Sequence, residues 1–178
     1  MKVYGFAVVE GYEWVVPQNE ADFEVFRAFD GTSRSSGWEP IPVQLVQHDE
    51  QGKPLAESEL PWLGEHAQVM RPRLVELLQN VLAGDAELLP LACPDAELKV
   101  LNVLRVVEAL DVERSEIVRF PSTGRIMKVK SHVFQAERLD GVKVFKVPEL
   151  LRGATLVTDE VVEVVQRSGL KGVAFRLL

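Results

Sequence analysis

Residues 67–79 read AQVMRPRLVELLQ, and they align without gaps with residues 154–166, ATLVTDEVVEVVQ. In each stretch a short apolar run leads into a segment whose apolar residues recur at i, i+3, i+4 and i+7, which is the spacing of an amphipathic helix. The repeat predicts two similar strand–helix–strand units with both helices against one sheet. The alternative is that any two amphipathic helices look alike at this level.

Turn and capping residues delimit the two helices. Pro72 lies in the first turn of the first helix and Gly84 lies just beyond its apolar stripe, which ends at Leu82. The second helix is predicted over residues 158–168, with Thr158 as the N-cap and Gly169 in the left-handed position at its end.

The rest of the chain predicts short strands separated by turns. Pro40 and Pro42 reduce the stretch around Val43 to an edge strand at best. Many short strands with two clear helices predict an α+β fold, with a mainly antiparallel sheet. We expect an acidic, β-rich portion over residues 1–60 and an α+β domain over 61–178, joined in one unit. The strand candidates are residues 3–9, 88–91, 98–107, 117–120, 126–129, 132–134, 142–147 and 173–177.

Composition excludes several classes of protein. The chain has 178 residues, of which 47% are hydrophobic and 26% charged, as in ordinary globular proteins rather than disordered or disulfide-rich ones. It has one cysteine, Cys93, and no apolar run that reaches the ~18 residues of a membrane span. The first ten residues do not resemble a signal peptide. We therefore expect a cytoplasmic protein that does not bind membranes.

The negative charge is concentrated in the first 70 residues. They hold 12 acidic and 4 basic side chains, whereas residues 71–178 hold 15 and 16. Such a region repels nucleic acid and attracts a basic protein partner. The simpler interpretation is a solvated face that keeps the protein soluble.

No catalytic, nucleotide-binding or metal-binding motif is present, so we expect no metal and no cofactor. A Cys93–His132 pair is conceivable, while His48 and His66 are most simply loop residues. Acidic side chains close in sequence are Glu108, Asp111, Glu113 and Glu116, which charge pairing with Arg105 and Arg114 explains more simply than hydrolysis. A basic stretch without the aromatic interleaving of single-strand binders comprises Arg119, Arg125, Lys128, Lys130, Arg138, Lys143 and Lys146.

Residues 101–115, LNVLRVVEALDVERS, are the most distinctive segment, because Asn102 interrupts an apolar strand and needs a buried partner. With residues 144–148, 156–160 and 168–175, this segment resembles the eleventh immunity-protein family of bacterial polymorphic toxin systems. The resemblance extends upstream through residues 73–82 and 88–91, and spans residues 62–178.

The resemblance implies a protein that binds and inhibits a cognate toxin and has no catalytic activity of its own. Charge suggests a basic toxin, such as a nuclease. We assign four polar residues to a buried network that fixes the sheet to the following loop: Asn102, Asp111, Arg114 and Ser115. Acidic residues and aromatic anchors are the expected toxin-binding set: Glu10, Tyr12, Glu13, Trp14, Glu20, Asp22, Glu24 and Trp38.

Two other functions remain open. One is a small enzyme or ligand-binding domain with its site between the two helix–strand units, using Cys93, His132 or the carboxylates of residues 108–116. The other is a structural module that binds a partner without inhibiting it. The final strand could also pair edge to edge with a second copy.

Overall fold

A central strand, Leu98–Val103, is buried on both of its faces. In the computed structural model, which describes residues 1–178, Leu98 and Val100 face one hydrophobic core, while Leu101 and Val103 face another. A strand with two apolar faces needs a packed layer on each side. Two helices, residues 72–78 and 159–168, cover the face that carries Leu101. Residues 23–29, which include a short helix, cover the face that carries Leu98.

The structure has eleven strands and three α-helices, which confirms the predicted α+β class. The helices are α1 (Phe23–Arg27), α2 (Pro72–Leu78) and α3 (Asp159–Ser168). The strands are β1 (Val3–Ala7), β2 (Trp14–Pro17), β3 (Ile41–Val46), β4 (Val69–Met70), β5 (Ala86–Ala92), β6 (Leu98–Val103), β7 (Glu116–Arg119), β8 (Ile126–Ser131), β9 (Val144–Phe145), β10 (Leu156–Thr158) and β11 (Ala174–Leu177).

A five-stranded sheet has the order β2-β3-β5-β6-β4. The prediction of an edge strand around Val43 is wrong, because β3 pairs with β2 on one side and β5 on the other. Pro42 is tolerated since it lies near one end of β3, where its carbonyl accepts a hydrogen bond from Gln18 N.

A four-stranded sheet has the order β11-β1-β10-β9 and is antiparallel throughout. It is also buried on both faces, since Val144 and Val157 lie in the core that contains Leu101, whereas Phe145 and Leu156 lie in a third core. In each of these two sheets, a strand from residues 1–60 pairs with a strand from residues 61–178: β1 pairs with β10, and β3 pairs with β5.

The two similar segments form equivalent units in different sheets. Strands β4 and β5 flank β6, and α2 connects them; β10 and β11 flank β1, and α3 connects them. The expectation of a single shared sheet is therefore wrong. The two helices instead contact each other within one core, where the equivalent side chains are buried: Leu74, Val75 and Leu78 in α2, and Val161, Val162 and Val165 in α3.

The helix termini agree only in part with the sequence. Helix α2 begins at Pro72 as predicted but ends at Leu78, before the apolar stripe does. Gly169 adopts a left-handed φ of 69°, as predicted for the residue after α3. Thr158 precedes α3, but its hydroxyl donates to Val142 O at 3.1 Å and makes no capping bond.

Three strand predictions need adjustment in the second half of the chain. Strand β6 ends at Val103 rather than at residue 107, and β9 comprises only Val144–Phe145. Residues 132–134 form no strand and contribute one isolated bridge, Leu110 to Phe134. Strands β7 and β8 are confirmed, and they pair only with each other.

Residues 14–27 form elements that the sequence analysis did not predict: β2, a 3₁₀ turn (Glu20–Asp22) and α1. The local signals were the Asn19 side chain, which caps the 3₁₀ turn by accepting from Ala21 N, and Phe26, which is buried in the second core. Phe26 follows a run rich in acidic residues, so the sequence shows no clear apolar stripe there.

A buried ion pair joins β2 to the start of α2. Arg71 Nη2 lies 2.5 Å from Glu13 Oε1, and the same oxygen accepts from Ser58 N at 3.2 Å. The Glu13 side chain is 2% exposed.

Ser58 also lies in close contact with Gly172. A Cβ at Gly172 would meet the Ser58 backbone at 2.8 Å, so this contact requires glycine.

We expect Arg71→Met to lower the free energy of unfolding by about 3–5 kcal/mol, because it leaves the Glu13 carboxylate buried without a cation. Urea denaturation measures the effect. The matched control is Arg167→Met, which breaks a pair with Glu163 whose side chains are 78% and 57% exposed, and should cost less than about 1 kcal/mol. Equal effects of the two substitutions would contradict this assignment.

Candidate partner-binding surface

Many acidic side chains of the first 70 residues are paired with basic side chains from later in the chain. These ion pairs cross-link the two parts of the sequence, so they neutralise part of the predicted negative face. The pairs are Glu13 and Glu57 with Arg71, Glu59 with Arg73, Glu24 with Arg152, and Glu65 with Arg176. The charge excess of the sequence is therefore larger than the free negative charge at the surface.

Glu13 is the one member of the expected toxin-binding set that is fully buried. Its carboxylate is held by Arg71 and Ser58, and it stabilises the fold from within. The position of Glu13 follows from strand alternation, which turns Glu13 and Val15 inward and their neighbours outward. Glu13 is not part of an accessible surface, and this correction removes it from the set.

Tyr12 and Trp14 lie on the outward face at the start of β2, after the exposed Glu10. Trp14 is 44% exposed, which is unusual for a side chain of that size. It pairs in register with Val46 of β3 and forms a bridge to Trp62, whose own side chain packs partly into the first core. Glu10 has no ion-pair partner within 4.0 Å.

Glu20, Asp22 and Glu24 lie on the 3₁₀ turn and α1, beyond the other end of β2. Trp38 lies on this side too, because its ring packs 6.1 Å from Phe29 and its Nε1 donates to Pro90 O at 2.8 Å. The structure thus divides the expected set into one group around Trp14 and another around α1.

Residues 30–37 form a loop whose position is fixed by hydrogen bonds to Glu87 and Asn102. Glu87 accepts from Arg34 N at 2.5 Å and Ser33 Oγ at 2.8 Å, and Asn102 Nδ2 donates to both Glu87 and Thr32 O. Burial raises the pKa of Glu87, but these hydrogen bonds outweigh it and hold that pKa below its usual value. Nothing local in the sequence connects Glu87 with this loop.

The predicted polar network is two separate networks. Asn102 anchors residues 30–37, whereas Asp111 and Ser115 act elsewhere: Asp111 Oδ1 caps Arg114 N at 3.0 Å, and Ser115 Oγ accepts from Val133 N at 3.0 Å. The second network ties the residue before β7 to the segment after β8. A single buried network is therefore wrong, because no hydrogen bond joins Asn102 to the other three residues and the Arg114 side chain is 74% exposed.

The residues considered for catalysis are not brought together. Cys93 packs against the second core, and His132 stacks on Phe134 beside the third. Burial lowers the pKa of His132 and also that of His66. Three of the four carboxylates have separate basic partners: Glu108 with Arg138, Asp111 with Arg114, and Glu116 with Lys130.

The contact between α2 and α3, where a ligand site was considered, is filled by the apolar side chains of the first core. A small cavity of about 170 Å³ lies beside the start of α2, lined by Met70, Pro72 and Lys99 among others, and it contains none of the candidate catalytic groups.

No group of three or more His, Cys, Asp or Glu side chains is gathered in a metal-binding arrangement. None of the helices has the length and apolar character to cross a membrane.

Lys146, part of the predicted basic stretch, is buried, and so is its neighbour Phe145. Its ammonium donates to three backbone carbonyls, those of Leu151 at 2.9 Å, His66 at 3.3 Å and Gly153 at 3.4 Å. Burial lowers the pKa of Lys146 from 10.5 to about 8, against a smaller opposing effect of Asp30. This lysine joins His66 to the segment 151–153 and takes no part in the surface charge.

Residues 95–178 match the Immunity protein family (Imm11). The resemblance predicted from the sequence is confirmed over this range, which contains the segments 101–115, 144–148, 156–160 and 168–175; the match begins at residue 95 rather than 62. Comparison with curated proteins finds no match.

We expect Asn102→Leu to lower the free energy of unfolding by about 2–3 kcal/mol, since Glu87 and Thr32 O both lose a buried donor. The control is Asn80→Leu at an exposed position, which should change stability by less than about 0.5 kcal/mol. An Asn102→Leu protein with unchanged stability but no toxin binding would show that Asn102 serves binding instead.

We expect the stability of the protein to rise with pH between about 8 and 10.5, because the folded state releases the Lys146 proton while the unfolded chain still holds it. The slope from this group is at most about 1.4 kcal/mol per pH unit. Denaturation at pH 8, 9 and 10 should show this slope, and Lys146→Met should remove it. Exposed Lys128→Met is the control and should keep the slope; a slope that persists in Lys146→Met would refute the assignment.

Proposed function

Because residues 95–178 match the Immunity protein family (Imm11), we propose that this chain is an immunity protein that binds and neutralises a cognate bacterial toxin. The family match is the observation that carries the proposal. It supports an immunity role and favours a protein without catalysis. Cys93 and His132 pack beside different cores, and three of the four carboxylates have separate basic partners, which favours the same interpretation.

The toxin is bound, in this proposal, by acidic side chains, of which only Glu24 has an ion-pair partner, and by aromatic side chains that are at least partly exposed. Glu10, Tyr12 and Trp14 form one contact region, and Glu20, Asp22 and Glu24 with Trp38 form the other. Tyr and Trp often dominate interface energies, and unpaired carboxylates steer a basic partner toward the site. A nuclease that grips phosphate through basic side chains is a partner of this kind.

Neutralisation follows from tight binding that covers the toxin active site or distorts it. The producing cell needs this protection where the toxin is made, which is why we propose a cytoplasmic location. Residues 30–37 are already ordered by Glu87 and Asn102, so the neighbouring surface loses little conformational entropy on binding.

The test is a binding assay with the products of the immediately neighbouring genes, at low and high salt, together with growth of cells that co-express the partner. We expect a complex that weakens with salt and a partner that kills cells unless this protein is present. No complex at either salt would contradict the proposal, and a complex without rescue of growth would indicate a structural module instead.

Within that complex, we expect Trp14→Ala to weaken binding about 30-fold, a typical cost for an aromatic anchor of about 2 kcal/mol. Glu20→Lys with Asp22→Lys should mainly slow association at low salt, since exposed charges act on the encounter. The control is Glu76→Lys with Asp95→Lys, which makes the same charge change at exposed sites outside the proposed surface. Equal loss in both double variants would argue against this surface.

A further inference from the structure

Residues 117–136 are the longest segment without an acidic residue in the second half of the chain. They contain four basic residues: Arg119, Arg125, Lys128 and Lys130. The whole chain carries a net charge of −7, so this segment has the opposite sign to the rest of the protein. Most of it forms strands β7 and β8 and the turn between them, which we call the cationic arm (residues 116–131).

The cationic arm is a two-stranded sheet that pairs with neither of the larger sheets. Its inner face is anchored, because Val129 packs on the third core and the Ser115 hydroxyl bonds both the N–H and the C=O of Val133 beyond the end of β8. Its outer edges lack partners. A two-stranded ribbon is marginally stable by itself, so the anchored base is what holds this arm in place.

The accessible side chains of the cationic arm are cationic and apolar. Phe120 is 44% exposed and Met127 is 43% exposed, which is high for large apolar side chains. Arg125 and Lys128 have no carboxylate within 4.0 Å, and Arg119 donates only to Gly124 O within the turn. Lys130 alone is paired, with Glu116 at 2.8 Å.

A groove of about 420 Å³ is lined by residues of the arm and of the segment Pro148–Gly153, together with Asp30. Arg152, which lines this groove, also lies 4.0 Å from Glu24 of α1. The cationic arm and the acidic α1 region therefore belong to one side of the molecule, and a single partner can contact both.

We propose that the cationic arm inserts into a carboxylate-lined, partly apolar cleft of the toxin, as the second half of the binding surface. This inference rests on the proposed function and specifies its partner chemistry. A metal-dependent nuclease combines a basic phosphate-binding surface with acidic metal ligands at its centre. The arm complements the acidic centre, and the carboxylates of Glu20 and Asp22, just before α1, complement the basic surface around it.

Two other occupants fit the charges less well. Nucleic acid would meet a single short ribbon with one exposed aromatic ring, on a protein that is otherwise strongly negative. A second copy docking arm to arm would set the same unpaired cations against each other.

The experiment compares toxin binding by the full chain and by the charge-reversal variant Arg119→Glu/Arg125→Glu/Lys128→Glu. The matched control is Lys53→Glu/Arg167→Glu/Lys171→Glu, which makes the same charge change at exposed sites on other elements. We expect at least about a 100-fold weaker complex and a smaller salt dependence for the arm variant, against less than about threefold for the control.

A second pair of variants tests the apolar part. Phe120→Ser/Met127→Ser should raise the dissociation rate about tenfold, whereas Val8→Ser/Leu177→Ser, also at exposed apolar sites, should not. Amide hydrogen exchange should slow at residues 117–130 when the toxin is bound. All of these variants lie at the surface, and an unchanged urea midpoint verifies that they fold.

The outcomes separate the two proposals. If the wild-type chain binds the toxin and the arm variants bind equally well, this inference is overturned while the immunity function stands. If the wild-type chain binds no toxin, both fail. Arm-dependent binding of a 20-base-pair DNA duplex, or arm-dependent self-association measured by light scattering, would also overturn it.

Discussion

The burial of β6 on both faces is the constraint on which the rest of this structure depends. Leu101 and Val103 require a helical layer on one side, which α2 provides together with α3, while Leu98 and Val100 require a second layer, which α1 and its flanking aromatics provide. A polar side chain in such a strand has to be satisfied inside the protein. Asn102 therefore determines where residues 30–37 lie, through Thr32 and Glu87.

The two strand–helix–strand units place the remaining surfaces. Because β4 and β10 belong to different sheets but α2 and α3 share a core, the two units pack against each other through their helices. The outer faces of both sheets are covered by other parts of the chain. On one side this cover is α1 and the loop held by Glu87. On the other it is the segment from residue 104 to 142, which also carries the cationic arm.

Charge is organised differently in the structure than along the chain. Much of the acidity of the first 70 residues is used in ion pairs that join them to Arg71, Arg73, Arg152 and Arg176. Carboxylates such as those of Glu10, Glu20 and Asp22 remain without an ion pair, while the cationic arm carries basic side chains without one. A surface that alternates in sign discriminates among partners better than a uniformly acidic one, because a wrong partner meets like charges.

The sequence by itself determined the fold class, most strands, the start of α2, the end of α3 and the family resemblance, because periodicity, prolines and glycines act within a few residues. It also showed that Asn102 needs a partner. Only the tertiary structure decided which partner: Thr32 is 70 residues away and Glu87 is 15. The same holds for Glu13 and Lys146, whose burial depends on neighbours far along the chain. The basic residues of the cationic arm are visible in the sequence, but only the tertiary structure shows that the arm pairs with neither of the larger sheets.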